Sequence, residues 1–349
     1  MRILVTGASG FIGEAVARAA AEAGHAVRAV ARSEGRLHVL DDAPIEQLAL
    51  PSLTPEVLRP ALEGVDVLVH CAAGYVYGRG AAERAVRDNP LLTRDVLTAA
   101  QDAGTKHVID ISSAVVLKPH PDGPAIGVTD PGSPHWAPGD PHWGDPYLRS
   151  KVLAEEVADA FRIRGVPVST IYPTAVVGPG DRVPGTSGGY LRAILTGRSV
   201  IDGALGWTDV RDLAEVILRV AEAPPGGRYL VSIGTRRMRT IARIADSVTG
   251  RRRRRVVLPA PVVRFVARLN DLAGGRIAPG APPPASLEYQ LTLGPTDGSS
   301  GRTVLGHPYR ELSETLRDGF AWWVAQGLLD ARTAGRAVPA ETARAPIGG

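Results

Sequence analysis

Three groups of residues in this 349-residue chain have the types and spacing for chemistry. Tyr147 and Lys151 stand four residues apart in YLRSK, so on a helix they share one face. An ammonium beside a phenol favours the phenolate. Such a tyrosine can pass a proton to or from a substrate oxygen near neutral pH. Ser113, the second serine of ISSAVV, ends an apolar run with a hydroxyl that can hold the same oxygen. The third group is TGASGFIG, residues 6–13. Gly7 permits a turn too tight for a Cβ, Gly10 lets a diphosphate approach the backbone, and Gly13 lets a helix pack closely on a strand. The free N–H groups where that helix starts would face the phosphates, with Phe11, Ile12 and Gly13 of the turn read as cofactor-binding beside Gly7 and Gly10.

The elements that must position these groups follow in order. Arg2 to Val5 reads as a strand, Glu14 to Ala23 as an alanine-rich helix and His25 to Ala31 as a second strand, making one βαβ unit around the glycine turn. Further strands are predicted over 45–50, 66–72, 107–113 and 166–172. Helices are predicted over 53–63, 81–103 and 147–164, with Pro60 damaging the first and Pro90 bending or restarting the second. The alternation predicts an α/β fold, a doubly wound parallel sheet of the Rossmann type, with ligands at the carboxyl ends of its strands. The predicted division is a dinucleotide-binding domain over 1–178, returning with parts of 200–235, and a smaller mixed α/β substrate-binding region over 179–330. Residues 331–349, rich in Ala, Arg, Pro and Gly without periodicity, are predicted to be disordered.

Composition narrows the function classes. The chain is 44% hydrophobic and 22% charged, ordinary for a globular protein. The formal net charge of +4 is modest, and much of it sits in Arg251 to Arg255. With no aromatic residues interleaved, that run reads as a solvated loop entering an edge strand, and no nucleic-acid partner is expected. The single cysteine, Cys71, excludes an internal disulfide and reads as core. The chain starts directly on its first strand and has no run of about eighteen apolar residues, so a cytoplasmic protein with no membrane partner is expected. The loop from Lys118 to Asp145 holds His120, His135, Trp136, His142 and Trp143 just before Tyr147. Its place suggests a lid over a substrate, and no ligand spacing in it defines a metal site.

Taken in order, these motifs resemble an extended short-chain dehydrogenase/reductase, of the kind grouped with NAD-dependent epimerases and dehydratases. The resemblance rests on TGASGFIG, VHCAA at 69–73, Asn89, ISSAVV at 111–116, YLRSK with Ala154 and Glu155 behind it, YPTAVVGPGD at 172–181, TDVRDLA at 208–214 and LGHPYRELSETLRDGFAWW at 305–323. It implies that Tyr147 is the proton donor and acceptor, that Lys151 supports it and bonds the nicotinamide ribose, and that Ser113 holds the substrate oxygen. It also implies that Ala72, Ala73, Pro173 and Val176 lie along the cofactor and that Asn89 is a structural hydrogen-bonding residue. The second strand ends in Arg32-Ser33, where NAD-binding members carry an acid. Arg32 can pair a 2′-phosphate, which favours NADP, with NAD as the other reading. The family's usual Asp-Leu after the third strand is replaced by Pro51-Ser52.

Among the reactions of such proteins, dehydration is disfavoured because Ala114-Val115 follow Ser113 in place of an acid pair. The wording PTAVVGPGD, Arg32 and the Trp322-Trp323 helix are most similar to the dihydroflavonol-reductase and 3β-hydroxysteroid-dehydrogenase branch. The expected activity is hydride transfer between NADP and a ketone or secondary alcohol of a bulky, largely apolar small molecule. A nucleotide-sugar epimerase with tightly held NAD, using Arg182, Arg192 or Arg211 against a diphosphate, is the second reading. A non-catalytic dinucleotide-binding regulatory protein is the third, and the Tyr/Lys pair speaks against it. Tyr190, Trp207 and residues 262–272 could line the pocket or belong to the core. Trp322 and Trp323 read as core. Many relatives pair through two helices, which makes a homodimer one candidate assembly.

Overall fold

The computed structural model describes every residue except 75–80, 120–124, 129–134, 183–185, 198, 275, 277–283, 293 and 339–349. Along the chain the elements are β1 (Arg2–Thr6), α1 (Phe11–Glu22), β2 (Ala26–Ala31), β3 (Glu46–Ala49), α2 (Pro55–Leu58), β4 (Val67–His70), α3 (Ala81–Asp102), β5 (His107–Ile111), α4 (Pro146–Ile163) and β6 (Val168–Pro173). Then come β7 (Ala175–Val177), α5 (Thr186–Thr196), β8 (Ser199–Ile201), β9 (Ala204–Asp209), α6 (Val210–Glu222), β10 (Arg228–Val231), β11 (Gly234–Arg237) and α7 (Met238–Thr249). The last are β12 (Val256–Leu258), α8 (Ala260–Leu272), α9 (Pro284–Thr292), α10 (Ser299–Leu305), α11 (Leu312–Ala325) and α12 (Ala331–Ala334).

The chain forms two compact units, residues 1–174 with 211–231 and 297–308, and residues 175–210 with 232–296 and 309–349. In the first, seven strands form one sheet in the order β10-β6-β5-β4-β1-β2-β3, every neighbouring pair parallel. The order reverses between β1 and β4, the switch point of a doubly wound sheet. The strands β4, β5 and β6 are buried throughout because both faces are covered, their few polar residues included. Leu4, Leu68, Val108 and Val168 join Leu97 of α3 and Phe161 of α4 in one core.

The second unit holds a three-stranded sheet, β11-β9-β7, and the pair β12-β8. Its core gathers Trp207, Ile241, Leu316, Phe320 and Trp323. The division falls after Thr174, four residues before the sequence boundary, because β7 pairs with β9 and not with the large sheet.

Several expectations need correction. Helix α1 starts at Phe11, three residues early, because Gly10 in extended conformation already begins it. The helix expected over 53–63 is only α2, followed by a 3₁₀ turn over Arg59–Leu62 at Pro60. Of the tail expected to be disordered, residues 331–338 are ordered, and 339–349 lie outside the described residues. Asp330 caps α12, accepting from the Thr333 N–H at 2.7 Å, and Ala334, Ala337 and Val338 are buried. Arg253 donates to the Thr333 carbonyl at 2.7 Å, fixing the tail to the arginine run. That run is not simply solvated either. Arg255 is buried against Asp246, at 2.9 and 3.0 Å, and the Ile194 carbonyl, while Arg253 joins the same carboxylate.

Candidate active site

The glycine turn is built where the sheet order reverses. Gly7 has φ +67°, and a Cβ on it would lie 2.8 Å from the Ala72 nitrogen at the end of β4. A Cβ on Gly13 would lie 2.3 Å from the Gly7 carbonyl oxygen, so α1 sits against the turn only because that position is bare. The turn is tied on both sides, by Ala8 N–H to the Val30 carbonyl at 3.1 Å and by the Thr6 hydroxyl with His70 Nδ1 at 2.9 Å. No side chain caps α1. The first N–H groups of the helix, at Phe11, Ile12 and Gly13, precede its internal ladder. An exposed backbone at Gly10, no capping side chain and a helix N-terminus together fit a dinucleotide diphosphate.

Ala72 and Ala73 follow β4, next to this turn. The chain there is fixed by Asn89 of α3. Asn89 accepts from the Gly74 N–H at 2.8 Å, donates to the Gly74 carbonyl at 3.1 Å and donates to the Ser150 hydroxyl at 3.2 Å. Ser150 in turn donates to the Tyr147 carbonyl at 2.8 Å. One asparagine therefore couples the loop after β4 to the first turn of α4, a structural role as expected of it.

Asp145 starts α4, its carboxylate accepting from the N–H groups of Tyr147 at 2.8 Å and Leu148 at 3.4 Å, with Pro146 at the first helical position. Tyr147 and Lys151 follow one turn apart. Ser113 leaves the end of β5, its hydroxyl accepting from the Val115 N–H at 3.3 Å at the head of a 3₁₀ turn. Burial pushes the Tyr147 phenol above its ordinary range, while a hydrogen bond with the Ser113 side chain pulls it down. The sequence led us to expect a depressed phenol. Here desolvation dominates, and Lys151 donates instead to the Ile111 carbonyl at 3.2 Å. Burial lowers the Lys151 ammonium, opposed by the carboxylates of Asp110 and Glu155.

Of the buried groups behind the pair, Asp110 was not singled out in the sequence. Asp110 of β5 is pushed up to about 7 by burial and by Glu155, with Lys151 and Arg162 opposing. Glu155 of α4 accepts from the Tyr172 hydroxyl at 2.6 Å. Burial, then the Lys151 charge, drive His70 down to about 3, so its imidazole is neutral. Burial pushes the Cys71 thiol up to about 12, which disfavours a thiolate, and the residue is half-buried just past the end of β4. His70, Asn89, Asp110, Ser112 and Lys151 line one small cavity, and the Ser112 hydroxyl has no hydrogen-bond partner among the described residues.

Of the other residues singled out, Arg32 stands exposed just past β2 with no ion pair or hydrogen bond among the described residues. Pro173 is buried at the end of β6 in the first unit, whereas Val176 lies in β7 of the second. His120 lies outside the described residues. His142 meets the Trp136 ring edge-on at 4.7 Å, Lys118 covers the same ring at 5.5 Å and pairs with Asp140, and His135 bridges Leu117. No metal-holding cluster occurs among the described residues. In the second unit Trp207 is fully buried, and Trp323 donates to the Asp181 carbonyl at 3.0 Å, both core. Trp322 is partly buried with Arg182 over its ring at 5.5 Å, and Tyr190 bonds Gln290.

A model of the NAD dependent epimerase/dehydratase family matches residues 3–234. The chain is 28% identical over 335 residues, 94% of its length and 100% of the relative's, to the sterol demethylase protein B of Methylococcus capsulatus. It is 28% identical over 291 residues, 82% of this chain and 84% of the other, to a ketoreductase of Stigmatella aurantiaca named for 4-hydroxy-2-methyl-3-oxo-4-farnesyl-3,4-dihydroquinoline-1-oxide. The crystal structure of gox2253 superposes with a TM-score of 0.80 at 26% identity, covering 94% of this chain and 99% of that one.

Proposed function

Because the chain belongs to the NAD dependent epimerase/dehydratase family and is an enzyme of the extended short-chain dehydrogenase/reductase type, we propose that it transfers hydride between NADP and a ketone or secondary alcohol. The substrate would be bulky and largely apolar. The observation that carries the reading is Arg32, an exposed guanidinium without an ion pair among the described residues, at the strand end where a 2′-hydroxyl would call for an acid. The relatives named for a sterol and for a farnesyl quinoline support an apolar substrate. Ala114 and Val115, both buried, leave Ser113 without the neighbouring acid pair that dehydration would use.

NADP would be held by the backbone of Gly7 to Gly13, by Arg32 and by the chain at Ala72 and Ala73, and when bound it would supply or take the hydride. In the reductive direction Tyr147 gives its hydroxyl proton to the substrate oxygen and Ser113 donates a hydrogen bond to that oxygen. Lys151, one turn from Tyr147, offsets the negative charge left on the phenolate. Asp145 and Asn89 hold the tyrosine's turn in place through the contacts described.

The test is a titration of the purified protein with NADPH and NADH, followed by nicotinamide fluorescence, after checking for cofactor carried through purification. Clear NADPH preference from an empty start, followed by turnover in a ketone screen, is the expected result. NAD retained through purification, with turnover of nucleotide sugars, would replace this reading by epimerisation.

A further inference from the structure

The second unit exposes an apolar face that its own core does not use. Helix α8 buries Val263, Ala267 and Asn270, and the first two pack with Leu287 of α9. Val262, Phe265, Val266, Leu269 and Leu272 are exposed, Phe265 by 63% and Leu272 by 84%. At the turn of an α-helix these five fall within an arc of about 120°. The chain enters α8 directly from β12, where Val256 and Val257 are exposed as well. A soluble monomer rarely leaves so many large apolar side chains together in water.

The described charged side chains on α8 are both arginines. Arg268 borders the arc, with Arg264 one turn before it and farther round the helix, both exposed. Arg264 is held there by Glu288, at 2.7 and 2.8 Å. Arg252 and Arg254 stand exposed just before β12. Arg252, Arg254 and Arg268 make no ion pair among the described residues, and no described acidic side chain falls on the exposed arc. An apolar stripe bordered by arginines complements a surface that is apolar beneath and anionic on top.

We propose that α8 docks in the plane of an anionic lipid bilayer, with Phe265, Leu269 and Leu272 at the acyl boundary and the arginines among the headgroups. The mode needs no spanning segment, and among the described residues no helix is long and apolar enough to be one. The expectation of no membrane partner rested on the lack of a long apolar run, which this mode does not require. The mode stands on exposure and charge alone, apart from the proposed reaction.

The test is flotation of the full chain with vesicles of phosphatidylcholine, with or without phosphatidylglycerol. Binding is expected only with phosphatidylglycerol, weakening at least fivefold between about 0.1 M and about 0.5 M salt. The double variant Phe265→Asp/Leu269→Asp should lose at least about tenfold in vesicle binding while keeping its melting temperature and NADPH affinity. Arg254→Glu/Arg268→Glu, which leaves every apolar group in place, should also lose about tenfold. No flotation, or flotation unchanged in both variants, would overturn the proposal. So would sedimentation showing an oligomer that the Asp variant dissociates without any vesicle binding, since a second copy would then cover the face.

Discussion

Opposed influences act on the Tyr147 hydroxyl, and their balance decides which way it is poised. Burial, and to a lesser degree the Asp145 charge, hold the proton on, and the Ser113 hydrogen bond loosens it. The net upward shift keeps the residue a neutral phenol at neutral pH, the state from which a carbonyl oxygen can be protonated. Tyr147→Phe keeps the ring and removes only the transferable proton. Turnover should fall by about 10²- to 10⁴-fold while the NADPH dissociation constant moves by less than about threefold. A loss of turnover under about tenfold would take the proton-donor role from Tyr147. Arg32 offers a second check at this scale. A charge-assisted pair to phosphate is worth roughly 1.5–3 kcal/mol. Arg32→Glu should therefore weaken NADPH by about 10- to 100-fold and NADH by only a few fold, read in parallel fluorescence titrations. Equal losses for both would mean that the guanidinium does not meet a 2′-phosphate.

Among the elements, the contact between the glycine turn and α1 leaves no room for a side chain. The Gly13 position faces the Gly7 carbonyl, a backbone atom that cannot swing away as a side-chain end could. Gly13→Ala should cost about 1–3 kcal/mol, the usual range for overpacking. It should lower the thermal midpoint and weaken NADPH by more than about tenfold, because the same displacement moves the helix N-terminus. A variant that melts and binds like the parent would remove the close-packing argument. This contact was legible in the sequence because strand, glycines and helix are local in the chain. So was the start of α4, where Asp145-Pro146 is a helix-start signal that could have identified the cap of the catalytic turn. The ordered stretch 331–338 was not legible. Its burial of Ala334, Ala337 and Val338 is tertiary, and its tie to Arg253 spans 80 residues. Asp110 escaped notice for a related reason. Within an apolar strand it reads as one polar interruption, and only the fold sets it near Glu155 and Lys151.

Those buried groups shape the stability of the whole molecule as pH changes. Burial and the Glu155 charge push the Asp110 carboxyl from the ordinary 3.8 of an exposed aspartate up to about 7. Between those values the folded protein keeps a proton that the unfolded chain has released, so stability from this group falls as pH rises from about 4 to about 7. His70 acts oppositely. Its ring titrates near 6.5 when exposed and near about 3 when folded. Between those values only the unfolded chain binds the proton, so stability from this group falls as pH drops below about 6.5. Across the shared window, from about 4 to about 6.5, each term approaches about 1.4 kcal/mol per pH unit with opposite sign, and the two offset. Asp110→Asn leaves the histidine term alone. Its stability should fall toward acid more steeply than the parent's by up to that slope. His70→Gln leaves the carboxyl term alone, and its stability should fall toward neutral pH instead. Urea unfolding midpoints of the three proteins at intervals across this window read both slopes. Parallel profiles for all three would show that neither group carries the shift. Opposite tilts of the two variants about a flatter parent would show that the buried charges around Lys151 hold the fold's acid response level.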